Sequence, residues 1–545
     1  MGIPSYYRTL IQRIPHAILK RAPGGITTPK TLVVDMNCMI YHVLKEPKMT
    51  ATPYPGEVGK LAWERKLQSE VCSYLTHVWK SAGSPSNTYV ALDGVVPYAK
   101  IKQQRFRRFK GGSEPHTPNL GTVGSGSGVW GSGSGAWGSG SGAWGSAFGT
   151  PWDKNAITPG THFMATMGSS LKEAGKAHGW IISDTDEPGE GEHKVLQWLR
   201  KTPLEKGPVI VYGLDADLIL LCLIAGDKLG SEYPIYLLRE AMAFGKLIRT
   251  TGTNDQVELC FFQISTLKDS LQKQPWSKEQ FYDYIFGMSF CGNDFLPTGL
   301  SLRIRDEGHS ILLSGLQELW QNGLNLVTID SEIKPNPRGL KAFAQWISKQ
   351  EERLIVAMIH KKMTARLGED EAENLPLREQ AERHLVNEMG QGRISLRSDW
   401  QSTYAKLALG EDSVEQRKAR VQDYWKGWCW ILDYYQGRPV DLEWVYPAGY
   451  PPTWKDLVTF FELPEFNEPC IKRVPLQPQE QLALVLPMSS WGLMLNTPFR
   501  DLPTKVPQMW PQGFHLETFG KRFGWECEPM IPMLTPGRLR YETSK

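Results

Sequence analysis

Short apolar runs recur through the first half of the chain, and each ends at a polar or glycine break. Residues 31–34 (TLVV), 88–92 (TYVAL), 180–182 (WII) and 209–212 (VIVY) have the length and β-branched content of buried strands. Between them apolar positions return at helical spacing, over 61–82 (LAWERKLQSEVCSYLTHVWKSA), 161–178 and 193–200. A further short helix is predicted over 6–14, stopped by Pro15. Strand and helix alternate at distances that suit right-handed βαβ units, so the first ~300 residues read as an α/β fold, a mostly parallel sheet flanked by helices. In such sheets ligands sit beyond the carboxyl ends of the strands.

Downstream the pattern changes. Residues 338–420 are charged with helical periodicity, and the expectation is a solvated helical segment joining two lobes. Residues 425–452 are dense in aromatics, and beyond Pro475 many Pro, Trp and Met residues follow with little periodicity, which predicts an irregular lobe packed on something larger. The expected domains are a first core region at 1–345, a helical linker at 346–420 and a second core region at 421–545 packing on the first. A Gly/Ser/Trp segment at 111–150 interrupts the first region, with heptapeptides GSGSGVW and GSGSGAW in tandem. Glycine at that density dissolves a helix, so a flexible linker is predicted. The alternative is that Trp130, Trp137 and Trp144 stack on single-stranded bases.

Bulk composition narrows the classes. A chain of 545 residues exceeds one core, and 41% hydrophobic with 22% charged residues is ordinary for a globular protein. A net charge of +3 means that any nucleic-acid site is a local basic patch. The eight Cys form no C-x-x-C pair, which points to reduced thiols in an intracellular protein, its compartment left open, over a disulfide framework or zinc site. No apolar stretch is long enough to span a bilayer, and no secretory signal is expected in MGIPSYYRTL, so no membrane partner is expected.

The candidate chemistry is acidic. Asp215 and Asp217 follow a buried run in VIVYGLDADLILL, Asp35 closes TLVV, and Asp93 closes TYVAL. Glu190 and Glu192 sit in PGEGEHK, whose glycines allow close backbone approach, and Asp294 sits in FCGNDFLP. Taken singly, each also reads as a helix cap or turn residue. Gathered at one sheet edge they would repel and desolvate unless a cation compensates them, and hard oxygen ligands favour Mg²⁺ or Mn²⁺. Seven acids exceed the needs of one ion and suit two, the arrangement that hydrolyses phosphodiesters. A phosphate-binding G-x-x-x-x-G-K-[ST] loop is absent, which disfavours nucleoside triphosphate hydrolysis. Seven residues after Asp93 begins KIKQQRFRRFK, in which Lys100, Gln104, Arg107 and Arg108 share one helix face. That fork of donors suits a terminal phosphate, and the plain alternative is a solvated basic face or a nuclear-import run.

These strings, with LVVDMNCMIYH, ALDGVVPYAKIKQQRFRRFK, WILDYYQG, LEWVYP and PLQPQEQLALVLP, run in order through nearly the whole chain, and it resembles the XRN-type 5′→3′ exoribonucleases. The resemblance implies a PIN/FEN-like nuclease core with metals bound by Asp35, Asp93, Glu190, Glu192, Asp215, Asp217 and Asp294. It implies a 5′-monophosphate pocket made by Lys100, Gln104, Arg107 and Arg108, and an aromatic sandwich on the first base made by Tyr41 and Trp444. The activity implied is processive degradation of 5′-monophosphorylated single-stranded RNA to mononucleotides. Cys38 stands where the family has glycine, YPAGYPP replaces an aromatic and histidine pair, and the Gly/Ser/Trp repeat takes the place of a protruding helix. A compact catalytic core without long C-terminal extensions is expected. The competing readings are a 5′-flap-type DNA nuclease, for which no helix-hairpin-helix is seen, and an inactive RNA-binding scaffold, against which all seven acids are present.

Overall fold

The structure is a computed structural model that describes residues 3, 5–19, 29–112, 151–243, 246–249, 257–272, 274–389, 392–410, 412–463, 474–494 and 498–544. The Gly/Ser/Trp repeat and its three tryptophans lie outside them. The chain divides into two compact units, one of Tyr7–Leu271, Val474–Phe514 and Ile531–Lys545, the other of Met1–Tyr6, Gln272–Arg473 and His515–Met530.

The first unit is built on seven strands: β1 (Ile18–Leu19), β2 (Thr31–Asp35), β3 (Asn87–Ala91), β4 (Ile181–Ser183), β5 (Val209–Tyr212), β6 (Ile235–Glu240) and β7 (Leu259–Gln263). The helices that bear on the site are α1 (Asn37–Val43), α2 (Lys60–Ser81), α3 (Tyr98–Gly112), α4 (His162–Lys176), α5 (Gly191–Lys201), α6 (Leu218–Leu229) and, from the returning segment, α7 (Pro478–Val485). The strand order is β1-β7-β6-β5-β2-β3-β4. Strands β4, β3, β2, β5 and β6 are mutually parallel, whereas β7 runs antiparallel to both β6 and β1. Every residue of β2, β5 and β6 is buried, as the near-continuous apolar runs of a doubly covered parallel sheet require. Leu32, Val34, Val90, Ile210 and Tyr212 pack with Leu67, Val71 and Leu75 of α2 and Phe163, Met164 and Met167 of α4 in one core. The chain winds from β2 outward to β3 and β4, then returns to add β5 on the opposite side of β2. That reversal between β2 and β5 is a topological switch point, where a crevice opens at the strands' carboxyl ends.

The second unit is largely helical. Phe290 stacks on Phe343 at 5.2 Å and on Trp428 at 5.8 Å, and meets the edge of Trp454, so aromatics crowded in the sequence form a core. These units divide the chain elsewhere than the expected regions: the first segment of the sheet unit runs to residue 271, and residues 474–514 belong with the sheet rather than with 421–452. Nor is 346–420 a solvated linker: Ile355, Met358, Ile359, Leu385, Val386, Trp400 and Tyr404 form a buried core with Leu300, Tyr450 and Phe519. The charged residues there mask apolar positions that find partners far off in the sequence. Among the described residues no helix is long and apolar enough to cross a membrane, and all seven described cysteines are free thiols.

Candidate active site

Six of the seven acids lie in the sheet unit, and parallel register brings them to one edge. Asp35 ends β2 and Asp93 lies two residues beyond β3; Glu190 precedes α5, Glu192 sits in its first turn, and Asp215 and Asp217 link β5 to α6. Glu192, Asp215 and Asp217 each bring a carboxylate oxygen within 4.8 Å of the others, and Glu190, Glu192 and the His193 ring do the same. These are ligand-like separations built from residues 190 to 217.

Close backbone packing holds them there. Gly191 N donates to Asp93 Oδ1 at 2.7 Å, while Asn37 donates from Nδ2 to Asp93 Oδ2 at 2.8 Å and accepts from Asp93 N at 3.1 Å. A Cβ on Gly191 would lie 2.4 Å from Asp35 Oδ1 and 3.1 Å from Ala91 O, so no other residue lets α5 start so near β2. Gly189, at φ +119°, turns the preceding loop; its N–H donates to Val95 O at 2.7 Å and its carbonyl accepts from Gly94 N at 2.9 Å.

The electrostatics show an acid cluster short of positive charge. Burial, then neighbouring Asp93 and Asp215, push the Asp35 carboxyl well above the usual carboxylate range. Burial, then Asp217, does the same to Glu192. Asp93 is raised less, because the Gly191 N–H, Lys100 and Lys194 oppose its burial. Glu192 Oε2 is buried and has no hydrogen-bond partner among the described residues. A buried acceptor with no donor, among carboxyls that cannot all ionise together, is what a divalent cation would satisfy, so the residues present fit a metal. His193 is held neutral, its pKa lowered to about 3 by burial, and burial lowers Lys194 to about 8, its Nζ donating to Leu92 O and Asp184 O at 2.9 and 2.7 Å.

The basic run forms α3 and joins this cluster directly. Lys100 and Glu190 are both buried, and Lys100 Nζ lies 2.5 Å from Glu190 Oε2. Arg108 donates from Nε and Nη2 to Thr158 Oγ1 at 3.1 and 2.8 Å and from Nη1 to Gln104 O at 3.2 Å, and burial lowers its pKa. Arg107 Nε and Nη2 are buried and make no hydrogen bond among the described residues. Half-buried Tyr41 on α1 lies in the field of Arg108 and Arg107. Arg105, in the same run but on another face, is wholly buried and serves packing, donating to the carbonyls of Leu484, Met509 and Pro532.

Asp294 and Trp444 belong to the helical unit. Asp294 is buried in a turn where Asn293 Oδ1 accepts from Phe295 N and Leu296 N at 3.0 and 2.9 Å. Trp444 is buried and stacks on Trp430 with centroids 5.2 Å apart. Three contributors escaped the sequence reading. Asn37, two residues beyond Asp35, was legible as a candidate polar neighbour; Thr158 and His193 gave no signal beyond adjacency to a motif.

Two family models match the chain: XRN 5′-3′ exonuclease N-terminus over residues 1–241 and Xrn1 helical domain over residues 362–545. The 5′-3′ exoribonuclease 2 of Arabidopsis thaliana is 24% identical over 99% of this chain and 66% of its own length. The 5′-3′ exoribonuclease 1 of Saccharomyces cerevisiae is 23% identical over 99% of this chain and 43% of its own, and the 5′-3′ exoribonuclease 2 of Gallus gallus 23% over 99% and 69%. The chain thus spans between two-fifths and about two-thirds of these curated relatives. Two models of one family, matched in order on a parallel sheet with carboxylates clustered at its carboxyl edge, show that the chain belongs to the XRN 5′-3′ exonuclease family.

Proposed function

We propose that the chain is a 5′→3′ exoribonuclease that hydrolyses 5′-monophosphorylated single-stranded RNA processively to mononucleotides. The observation that carries this reading is the Lys100–Glu190 ion pair at 2.5 Å, which makes the acid cluster and the basic helix one site. Asp35, Asp93, Glu190, Glu192, Asp215 and Asp217 would hold two Mg²⁺ or Mn²⁺ ions. Bound there, such ions supply an ionised water and charge stabilisation for the scissile phosphate.

The chain's own groups do the rest. Arg107 offers two buried donors with no partner among the described residues, and Arg108 is held by Thr158, so little side-chain freedom is lost when an anion binds. A terminal monophosphate carries more charge than a bridging phosphodiester and rewards such a fork most. The resemblance implies that a triphosphorylated or capped end would not fit such a pocket. Gripping the terminus beside the acids makes cleavage begin at the strand end. The motif match also assigns Asp294 to the metal set, and Tyr41 and Trp444 to stacking on the first base; these roles rest on the match alone.

The test is a timed digestion of matched RNAs bearing 5′-monophosphate, 5′-hydroxyl or 5′-triphosphate, with and without Mg²⁺. Mononucleotides released from the monophosphate RNA alone, and only with metal, are expected. No hydrolysis of any RNA refutes the reading in favour of a binding scaffold, and preferential cleavage of an added flap DNA refutes it in favour of a DNA nuclease.

A further inference from the structure

We infer that Gln481, on α7, is a positioning residue for the anion pocket: it fixes which pole of the Gln104 amide faces the ligand. The inference rests on the reading of α3 as a 5′-phosphate site. Nothing in the pocket motif points to a residue 377 positions away.

The Gln481 side chain is wholly buried and Gln104 nearly so. A side-chain amide has an accepting oxygen and a donating nitrogen, and which faces which is decided by the neighbours. Val96 N approaches Gln481 at 2.9 Å, and a backbone N–H only donates, so the Gln481 oxygen must face it. The Gln481 nitrogen is then committed to donating, and it meets Gln104 Oε1 at 3.3 Å. Gln104 has its oxygen engaged and keeps its N–H₂ group for an anion. The donors run in one direction, from Val96 through Gln481 and Gln104 to the ligand. Reversed, the relay would present an oxygen to a phosphate, and both would repel.

The relay works only if α7 cannot shift against α3, and Arg105 provides for that. Its guanidinium donates to Leu484 O on α7 at 2.7 Å, to Pro532 O at 3.2 Å and to Met509 O. It also lies over the Phe109 ring at 4.3 Å and the Trp510 ring at 5.7 Å. One face of α3 thus meets the ligand while another is bolted to the segment that orients Gln104.

The experiment compares kcat/KM on matched 5′-phosphate and 5′-hydroxyl RNAs for the full chain, Gln481→Met, Gln104→Met and the double variant. Gln481→Met should lower the preference for the phosphate by about 10- to 100-fold, the loss of a hydrogen bond to a charged group. The double variant should lose no more than Gln104→Met alone, because the two residues act through one contact. Gln481→Glu keeps an acceptor for Val96 N and, assayed at a pH where its carboxyl is ionised, removes the donor, so it should lose the preference there as well, which guards against a misfolded methionine variant. An equal fall on both substrates, additive losses, or a full preference in Gln481→Glu would overturn the inference. A wild-type chain without phosphate preference overturns the pocket reading and this inference with it; a preference retained by both Gln481 variants overturns the inference alone.

Discussion

Gly191→Ala isolates the tightest packing in the acid cluster. The added Cβ would sit 2.4 Å from Asp35 Oδ1, and ordinary contact begins near 3.4 Å, so either the Asp35 carboxylate or the first turn of α5 must give by about 1 Å. The strand side cannot yield easily, because Ala91 O is 3.1 Å from the same position and accepts from Met36 N at 2.9 Å. The displacement therefore falls on Asp35, on Glu192, or on Asp93, which accepts from Gly191 N. A misplacement of about 1 Å at reacting groups costs about 10²-fold in rate, and overpacking costs about 1–3 kcal/mol of stability. The assay is kcat on 5′-phosphate RNA at saturating Mg²⁺, with the melting temperature measured alongside. Gly492→Ala is the control, since no described residue lies within 4 Å of its added carbon. A Gly191→Ala protein that turns over within threefold of wild type would show that the acids need not be held so closely, and would refute the reasoning.

Three further outcomes are expected. Asp215→Ala should reduce hydrolysis by at least about 10²-fold while single-stranded RNA still binds in a fluorescence anisotropy titration; unchanged turnover removes Asp215 from the mechanism. Arg107→Ala removes two buried donors that have no partner among the described residues, and should cost about 10- to 100-fold in kcat/KM on 5′-phosphate RNA and little on 5′-hydroxyl RNA. Equal losses would take Arg107 out of the pocket. Mg²⁺ should raise the melting temperature, by the equivalent of about 2.7 kcal/mol at a hundredfold excess over Kd, and more at higher pH than at lower pH. The sign follows from Asp35 and Glu192: raised in the folded state, they stabilise the metal-free fold at low pH and lose that contribution as pH rises, while metal binding must displace their protons and so strengthens with pH. A shift independent of pH, or no shift, would argue against carboxylate ligation.

Local spacing alone determined four of the seven strands and several of the helices of the sheet unit. The runs at 31–34, 88–92 and 209–212 became strands over Thr31–Asp35, Asn87–Ala91 and Val209–Tyr212, and the basic run became the helix Tyr98–Gly112. Apolar period, glycine breaks and strand-end carboxylates are properties of neighbouring residues, so they are written into short strings. Only the tertiary structure decided that β2 lies between β3 and β5, which sets Asp35 beside Asp215, and that residues 474–514 return to the sheet unit. It alone decided that the charged 346–420 segment buries a core and that Gln481 meets Gln104. Each of these depends on contacts between positions tens to hundreds of residues apart. Such contacts form because burial of the whole chain favours them, and no local pattern of polar and apolar residues records which distant partner will be chosen.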